Sequence, residues 1–260
     1  MQLSFEAIVL SAVKYGENSA IACILTENHG IYKGLVRSIT GAAQRGLYQP
    51  GNVIEAIWRA RLSEHLGNLT AGLLHAGGAC AMGEPLKLAA LSSICSILES
   101  TLQERDPAPT IYQHLRLFLT QLGSENDIWQ QSYILLELEL LAQLGFGLEL
   151  SSCAASGAVE DLIYVSPKSG RAVCREAGLP YHDKLLRLPE FILESINNQA
   201  SADFLLPTAI SRINDGMSLC GYFLDKYFFA PHNIKQPNAR ARFAAMLQKE
   251  SILKPATNAI

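Results

Sequence analysis

The sequence predicts an α+β chain, strands first and helices after, and three observations carry that prediction. Between residues 5 and 74, five short segments rich in Ile, Val and Leu are separated by turn signals. After Gly77-Gly78 the apolar spacing changes from two to three and four. From residue 150 to 180 the chain becomes small and polar, with the pattern of a β-hairpin.

The strands are placed at residues 5–15, 19–26, 30–39, 52–61 and 67–74, punctuated by Tyr15-Gly-Glu-Asn18, Asn28-His-Gly30, Gln49-Pro-Gly-Asn52 and Glu64-His-Leu-Gly67. Five short strands at near-regular spacing predict a small closed barrel or a sandwich. In the fourth, alternation puts Glu55, Ile57, Arg59 and Arg61 on one face and Ile54, Ala56 and Trp58 on the other. The stretch 38–46 between the third and fourth strands is small and reads as a flexible connection.

A helix over 84–102 follows, with Leu88, Leu91, Ile94, Cys95 and Leu98 on one face. Thr110 is the expected N-cap of a second helix running to Leu122, and Asp127 that of a third. The third carries Leu135, Leu136, Leu138, Leu140, Leu141 and Leu144 on most sides, so it belongs at the centre of its domain. The hairpin arms are 162–165 and 172–174, joined by Ser166-Pro-Lys-Ser-Gly170. Helical patterning resumes at Glu190, continues as a long helix over 208–229, and ends in a basic helix over 240–250 with a frayed tail beyond it.

Composition narrows the function classes. The chain has 260 residues, 49% apolar and 17% charged, enough to bury a core and too ordered in pattern for a disordered polymer. No apolar run approaches the roughly 18 residues of a membrane span, and the first residues lack the basic n-region of a secretory signal. A soluble cytoplasmic protein without a membrane partner is expected, its six cysteines reduced. The net charge of −3 is unevenly spread: +1 over residues 1–80, −7 over 81–160 and +3 over 161–260. Within 28–63, Lys33, Arg37, Arg45, Arg59 and Arg61 face a single acid, Glu55. A second basic region holds Lys226, Lys235, Arg240, Arg242, Lys249 and Lys254.

Catalytic signatures are missing. There is no phosphate-binding G-x-x-x-x-G-K-[ST], no H-E-x-x-H and no G-x-S-x-G. Gly145-Phe-Gly147 starts like a dinucleotide fingerprint but follows a helix, so it reads as a helix stop. The six histidines form no i,i+4 pair, and Glu137 and Glu139 point to different faces. A Cys153–His182 pair is the one nucleophilic combination left open. No catalytic residue and no cofactor are expected.

Several fragments in order resemble the RecO family: Ala7-Ile-Val-Leu10, Tyr15-Gly-Glu17, the Thr26-Glu-Asn-His-Gly30 turn, Leu47-Tyr-Gln-Pro50, and Trp58-Arg-Ala-Arg61. They continue with Leu144-Gly-Phe146, Leu148-Glu-Leu-Ser-Ser-Cys153, Val165-Ser-Pro-Lys-Ser-Gly170, Tyr222-Phe-Leu224 and Ala239-Arg-Ala-Arg242, across nearly the whole chain. The resemblance implies an α+β architecture: an N-terminal five-stranded OB-fold β-barrel over 1–80, then an α-helical domain over 81–260 with a finger-like β-hairpin insertion at 150–180. It implies a DNA-binding recombination mediator of the RecF repair pathway. Such a protein anneals strands and helps load the recombinase onto single strands coated by single-stranded-DNA-binding protein. Implied partners are single- and double-stranded DNA, RecR and the C-terminal tail of that binding protein, with the chain itself a monomer.

One departure stands out. Many RecO proteins carry two C-x-x-C pairs in the finger as a zinc site. This chain has Cys153-Ala-Ala-Ser156 and Cys174-Arg-Glu-Ala177, each without its second cysteine. Two thiolates make a poor structural zinc site, Asp161 or His182 would have to complete it, and no metal is expected. Packing of Leu162, Tyr164 and Val173 would hold the hairpin instead.

The expected DNA-binding residues are Lys33, Arg37, Arg45, Arg59 and Arg61, in or beside the third and fourth strands. Among the aromatics, Trp58 is assigned to the core, while Tyr48, beside Pro50, is the better stacking platform, with Tyr32 a further candidate. Arg240 and Arg242 form a second site for DNA or for an acidic peptide tail. The alternative function is a protein–protein adaptor with incidental DNA contact, favoured by the acidic middle segment.

Overall fold

The computed structural model describes residues 1–39, 41–62, 65–197 and 208–253, so the expected fraying of the tail lies outside the described residues. Strands β1 (Gln2–Tyr15), β2 (Ser19–Thr26) and β3 (Gly30–Arg37) lead to a short helix α1 (Ala42–Leu47), followed by β4 (Val53–Arg59) and β5 (Gly67–His75). Helices α2 (Pro85–Thr101), α3 (Pro109–Leu122) and α4 (Ile128–Gln143) come next. Then follow β6 (Leu162–Val165), β7 (Ala172–Cys174), a single turn α5 (Arg175–Gly178), β8 (Leu186–Arg187), α6 (Glu190–Asn197), α7 (Ile210–Leu224) and α8 (Asn238–Leu253).

The first five strands close a barrel in the order β1-β2-β3-β5-β4. The 14-residue β1 serves two neighbours. Its first half runs antiparallel to β4, from Gln2 opposite Arg59 to Ile8 opposite Val53. Beyond an irregularity between Val9 and Ser11, its second half continues along β2. The seam between β3 and β5 is parallel and short, pairing Gly34 with Gly67 and Leu35 with Asn68. Alternation fills the inside with Ala7, Val9, Ala22, Ile24, Tyr32, Val36, Ile54, Ala56, Trp58 and Leu69. Trp58 is fully buried, and its Nε1 donates to the Lys33 carbonyl at 3.0 Å. Glycine is required opposite it, because a Cβ on Gly67 would lie 2.2 Å from the indole.

By packing, the chain divides into two compact units. The first takes Met1–Gly123 and Pro237–Phe243, so it continues past the Gly77-Gly78 break to include α2 and α3. The α3 stripe Ile111, Leu115, Phe118, Leu119 and Leu122 is buried, and so is most of α2. The connection between these helices lies along β3: Ile31 bridges Glu104, and the Arg105 N–H donates to the Ile31 carbonyl at 3.0 Å. Gly30, at φ +67°, makes room for it, since a Cβ there would collide with the Asp106 carbonyl.

The second unit takes Ser124–Gln236 and the remainder of α8 from Ala244. Its α4 has no exposed residue from Trp129 to Leu141, as its apolar surround predicts. The Tyr133 hydroxyl donates to the buried Glu137 carboxylate at 2.8 Å, and Gly216 lets α7 approach Ile134 of α4. The Leu144-Gly-Phe146 stop works as read: Gly145 stands at φ +85° and the Phe146 N–H returns to the Leu141 carbonyl. Phe146, Tyr227 and Phe223 form a near-parallel stack, with centroids 5.0 and 5.6 Å apart. The Lys226 ammonium donates to the carbonyls of Pro167 and Lys168 at 2.6 and 3.1 Å, tying down the hairpin turn.

Several expectations are corrected. The stretch after β3 is not wholly a flexible connection, because residues 42–47 close a helical turn that buries nothing. The fourth strand ends at Arg59, two residues short, and Arg61 falls in a bend. Thr110 does not cap α3: Pro109 occupies its first turn, where a missing N–H costs nothing, and Ala108 is the cap residue. The helix over 208–229 is interrupted, α7 passing at Asp225 into a π-helical turn that ends at Phe229. The hairpin gains β8 as a third strand, in the order β7-β6-β8.

Candidate nucleic-acid interface

Strand register places the basic residues of the barrel. Arg59 pairs with Asn68 of β5, and Asn68 pairs with Leu35 of β3, so the three side chains share the outer face in one row. Arg37 lies two residues beyond Leu35 on that face, about 7 Å along the strand. Arg61 follows Arg59 past the strand end. Because β3 runs with β5 and β4 runs against it, Arg37 and Arg61 lie on opposite sides of that row, with Arg59 in it. All three are exposed.

Where β3 and β5 part, a groove of ≈ 390 Å³ opens, lined by Leu35, Arg37, Ser38, Gln44, Asn68 and Thr70 with Tyr48 at its floor. Gln44 comes from α1, whose next residue is the exposed Arg45. The folded turn after β3 thus contributes a wall. Apolar surface under a rim of amide, hydroxyl and guanidinium groups suits a sugar–phosphate chain, with the cation on phosphate and the neutral donors on sugar or phosphate oxygens.

The five predicted bases are not equivalent. Among the described residues, Arg37, Arg45 and Arg61 make no ion pair. The Arg59 Nε donates to the Gln2 side-chain oxygen at 2.8 Å, which orients the guanidinium and leaves its charge unneutralised. Lys33 lies on the same face of β3, but its ammonium is 3.0 Å from the Glu104 carboxylate. That hydrogen bond, against a smaller opposing effect of burial, raises the Lys33 pKa. The opposite end of β4 is acidic, with Glu55 directly across from Glu6, and Glu6 is held by Arg116 at 2.7 Å and by the Tyr112 hydroxyl at 2.8 Å.

Trp58 is in the core as assigned, and the stacking roles expected of Tyr48 and Tyr32 are corrected. Tyr48 is only 3% exposed and belongs to the barrel core together with Tyr32 and Trp58, so none of the three offers an open ring to a base. Tyr32 and Trp58 meet edge to face at 5.3 Å, and the Arg105 guanidinium lies 5.6 and 5.7 Å from their ring centres. Arg105 was missed because its signal is tertiary: nothing in its neighbourhood along the chain points to β3.

Arg240 and Arg242 do not form a shared patch. Two residues along a helix is a turn of about 200°, and Arg240 is buried while Arg242 is exposed.

In the finger, zinc does not fit. Ser156 and Ala177 stand in the second positions, Asp161 is engaged by Arg175 through three contacts of 2.9 to 3.2 Å, and the His182 Nδ1 meets the Leu179 carbonyl. Among the described residues no group of three or more His, Cys, Asp or Glu side chains is placed to hold a metal. The open Cys153–His182 combination is not the contact formed; the Cys153 sulfur accepts the Cys174 N–H at 3.3 Å. Leu162, Tyr164 and Val173 are buried in the small sheet. No helix of the described residues is long and apolar enough to cross a membrane.

A closed barrel in this strand order, with an outer-face groove rimmed by Arg37 and a helical region after it, defines an OB-fold protein extended by a helical domain. Known proteins specify it further. Residues 1–77 match the family model for the N-terminal part of recombination protein O, and residues 82–233 match that for its C-terminal part. The DNA repair protein RecO of Rhodospirillum rubrum is 38% identical over 255 residues, covering 96% of this chain and 98% of its own. Those of Granulibacter bethesdensis and Bartonella quintana are 40% and 41% identical, each with 96% of this chain and 98% of its own covered. The chain belongs to the RecO family.

Proposed function

We propose that the chain is a non-catalytic DNA-binding recombination mediator of the RecF repair pathway. It anneals complementary strands and assists recombinase loading on single strands coated by single-stranded-DNA-binding protein. The observation that carries this reading is the outer β3-β5-β4 face, where Arg59, Arg37 and Arg61 are exposed and Arg37 rims the groove beside α1. Contacts through phosphate are indifferent to sequence, which annealing of arbitrary strands requires. Bases then stay free to pair, in keeping with the burial of Tyr32, Tyr48 and Trp58. Double-stranded DNA is bound by the same charges, and Arg45 lies beside the path.

RecR and the acidic C-terminal tail of single-stranded-DNA-binding protein are the protein partners, in the cytoplasm, and the chain is a monomer on its own. Arg242, exposed on α8, remains for either DNA or the tail. The test is annealing of two complementary oligonucleotides, followed by energy transfer between their labels. The chain accelerates it at low salt, and a variant with Arg37, Arg59 and Arg61 changed to Ala does not. Absence of any acceleration or oligonucleotide binding by the folded chain overturns the reading and leaves a protein–protein adaptor.

A further inference from the structure

The finger contains a thiol pair that DNA binding does not use. Cys153 lies beneath the exposed turn Ala154-Ala155-Ser156-Gly157, which is closed by the Gly157 N–H on the Cys153 carbonyl at 2.9 Å. The Cys153 sulfur accepts the Cys174 N–H at 3.3 Å, which puts the Cys174 Cα within about 5 Å of that sulfur. The Cys174 sulfur in turn stands 3.5 Å from the Ser156 hydroxyl. Two cysteines twenty-one residues apart in sequence are thus in contact across one small turn.

We propose that Cys153 and Cys174 form an oxidisable modification site, with Cys153 the attacking sulfur, Cys174 the resolving one and a hydroperoxide the oxidant. In the first step the Cys153 thiolate attacks hydrogen peroxide. An S–O bond forms, the O–O bond breaks, and the leaving hydroxide takes a proton to become water. In the second step the Cys174 sulfur attacks the sulfenic acid at Cys153. An S–S bond forms, the S–O bond breaks, and a second water leaves with the Cys174 proton. Two thiols lose two electrons and two protons, and one peroxide becomes two waters.

The surroundings favour the thiolate. Burial pushes the Cys153 thiol up, but the Cys174 N–H, the Ser156 hydroxyl and the backbone at Ser156 and Ala155 outweigh it and lower the pKa to about 6. In the barrel unit burial, helped by the Glu99 charge, pushes Cys95 up to about 12 and Cys23 higher still despite an opposing effect of Lys33. Those two serve as internal controls.

The folded chain is treated briefly with hydrogen peroxide at neutral pH, blocked with a small alkylating reagent, digested and weighed. The expected product is a peptide pair joined through Cys153 and Cys174, lighter by two hydrogens and restored by dithiothreitol, with Cys23 and Cys95 still reduced. In a Cys174→Ala variant dimedone captures a sulfenic acid at Cys153. Ser156→Ala removes one donor and slows the wild-type reaction several-fold, a readout independent of whether Cys174→Ala folds. Oxidation of Cys153 and Cys174 no faster than of Cys23 and Cys95 overturns the proposal, as does Cys153 over-oxidised in the folded chain while Cys174 stays reduced.

Discussion

The Lys33 ammonium of β3 is 3.0 Å from the Glu104 carboxylate of the connection between α2 and α3. One of the five bases on the candidate interface is thereby partly neutralised by a residue seventy-one positions along the chain. The neighbouring contacts, Ile31 with Glu104 and the Arg105 N–H with the Ile31 carbonyl, fix the carboxylate in place.

Glu104→Gln removes that neutralisation. Affinity for a single-stranded oligonucleotide rises a few-fold, and the salt dependence steepens by about 0.7 in log–log slope, one added phosphate contact. Fluorescence anisotropy across a salt series measures both. Lys33→Ala in the native background is correspondingly milder than Arg37→Ala.

Trp58→Ala and Tyr48→Ala act through the core. Loss of the buried indole costs about 3–5 kcal/mol of stability. Gly67→Ala forces a Cβ into the same indole and costs about 1–3 kcal/mol. Denaturant unfolding gives these values, and the salt slope of DNA binding by whatever fraction stays folded is unchanged.

Arg240 and Arg242 separate cleanly. Arg240 is buried, so Arg240→Ala lowers the denaturation midpoint, whereas Arg242→Ala stays within about 0.5 kcal/mol of the parent. Any loss of DNA or acidic-peptide binding at unchanged stability belongs to Arg242, as titration of both variants reveals.

The Cys153 thiol, ordinarily near 9.0, is held at about 6 in the fold. A folded value below the unfolded one means that the stabilisation is complete above about pH 9 and is lost as pH falls through 6. The stability gap between the parent and Cys153→Ser therefore widens as pH rises from 6 to 9. Unfolding midpoints over that window measure it, and a constant gap contradicts the hydrogen-bonded thiolate.

Most of the barrel was legible in the sequence because its strands alternate and its turns are marked by glycine and asparagine. The strand at 19–26 needed no correction, and the arms of the finger hairpin fell where they were placed. The helix at 42–47 was not legible, since it buries nothing and so carries no apolar period. Tyr48 was misplaced for the opposite reason: one residue turns inward at the end of a polar segment, and only closure of the barrel covers it. The Arg37–Arg59 grouping was half legible, each base being visible on its strand. Their common position depends on β5 lying between them, which no local pattern specifies. The opposed orientation of Arg240 and Arg242, by contrast, follows from helix geometry alone.

The most direct test of the barrel as a phosphate-tracking surface is the salt dependence of oligonucleotide binding. The parent chain is compared with the variant carrying Ala at positions 37, 59 and 61. Binding of the parent weakens linearly in log–log form between about 50 and 200 mM salt, and the variant binds more weakly with a slope shallower by about two. Equal slopes and affinities for the two folded chains would contradict the assignment and move the DNA-binding surface away from the barrel.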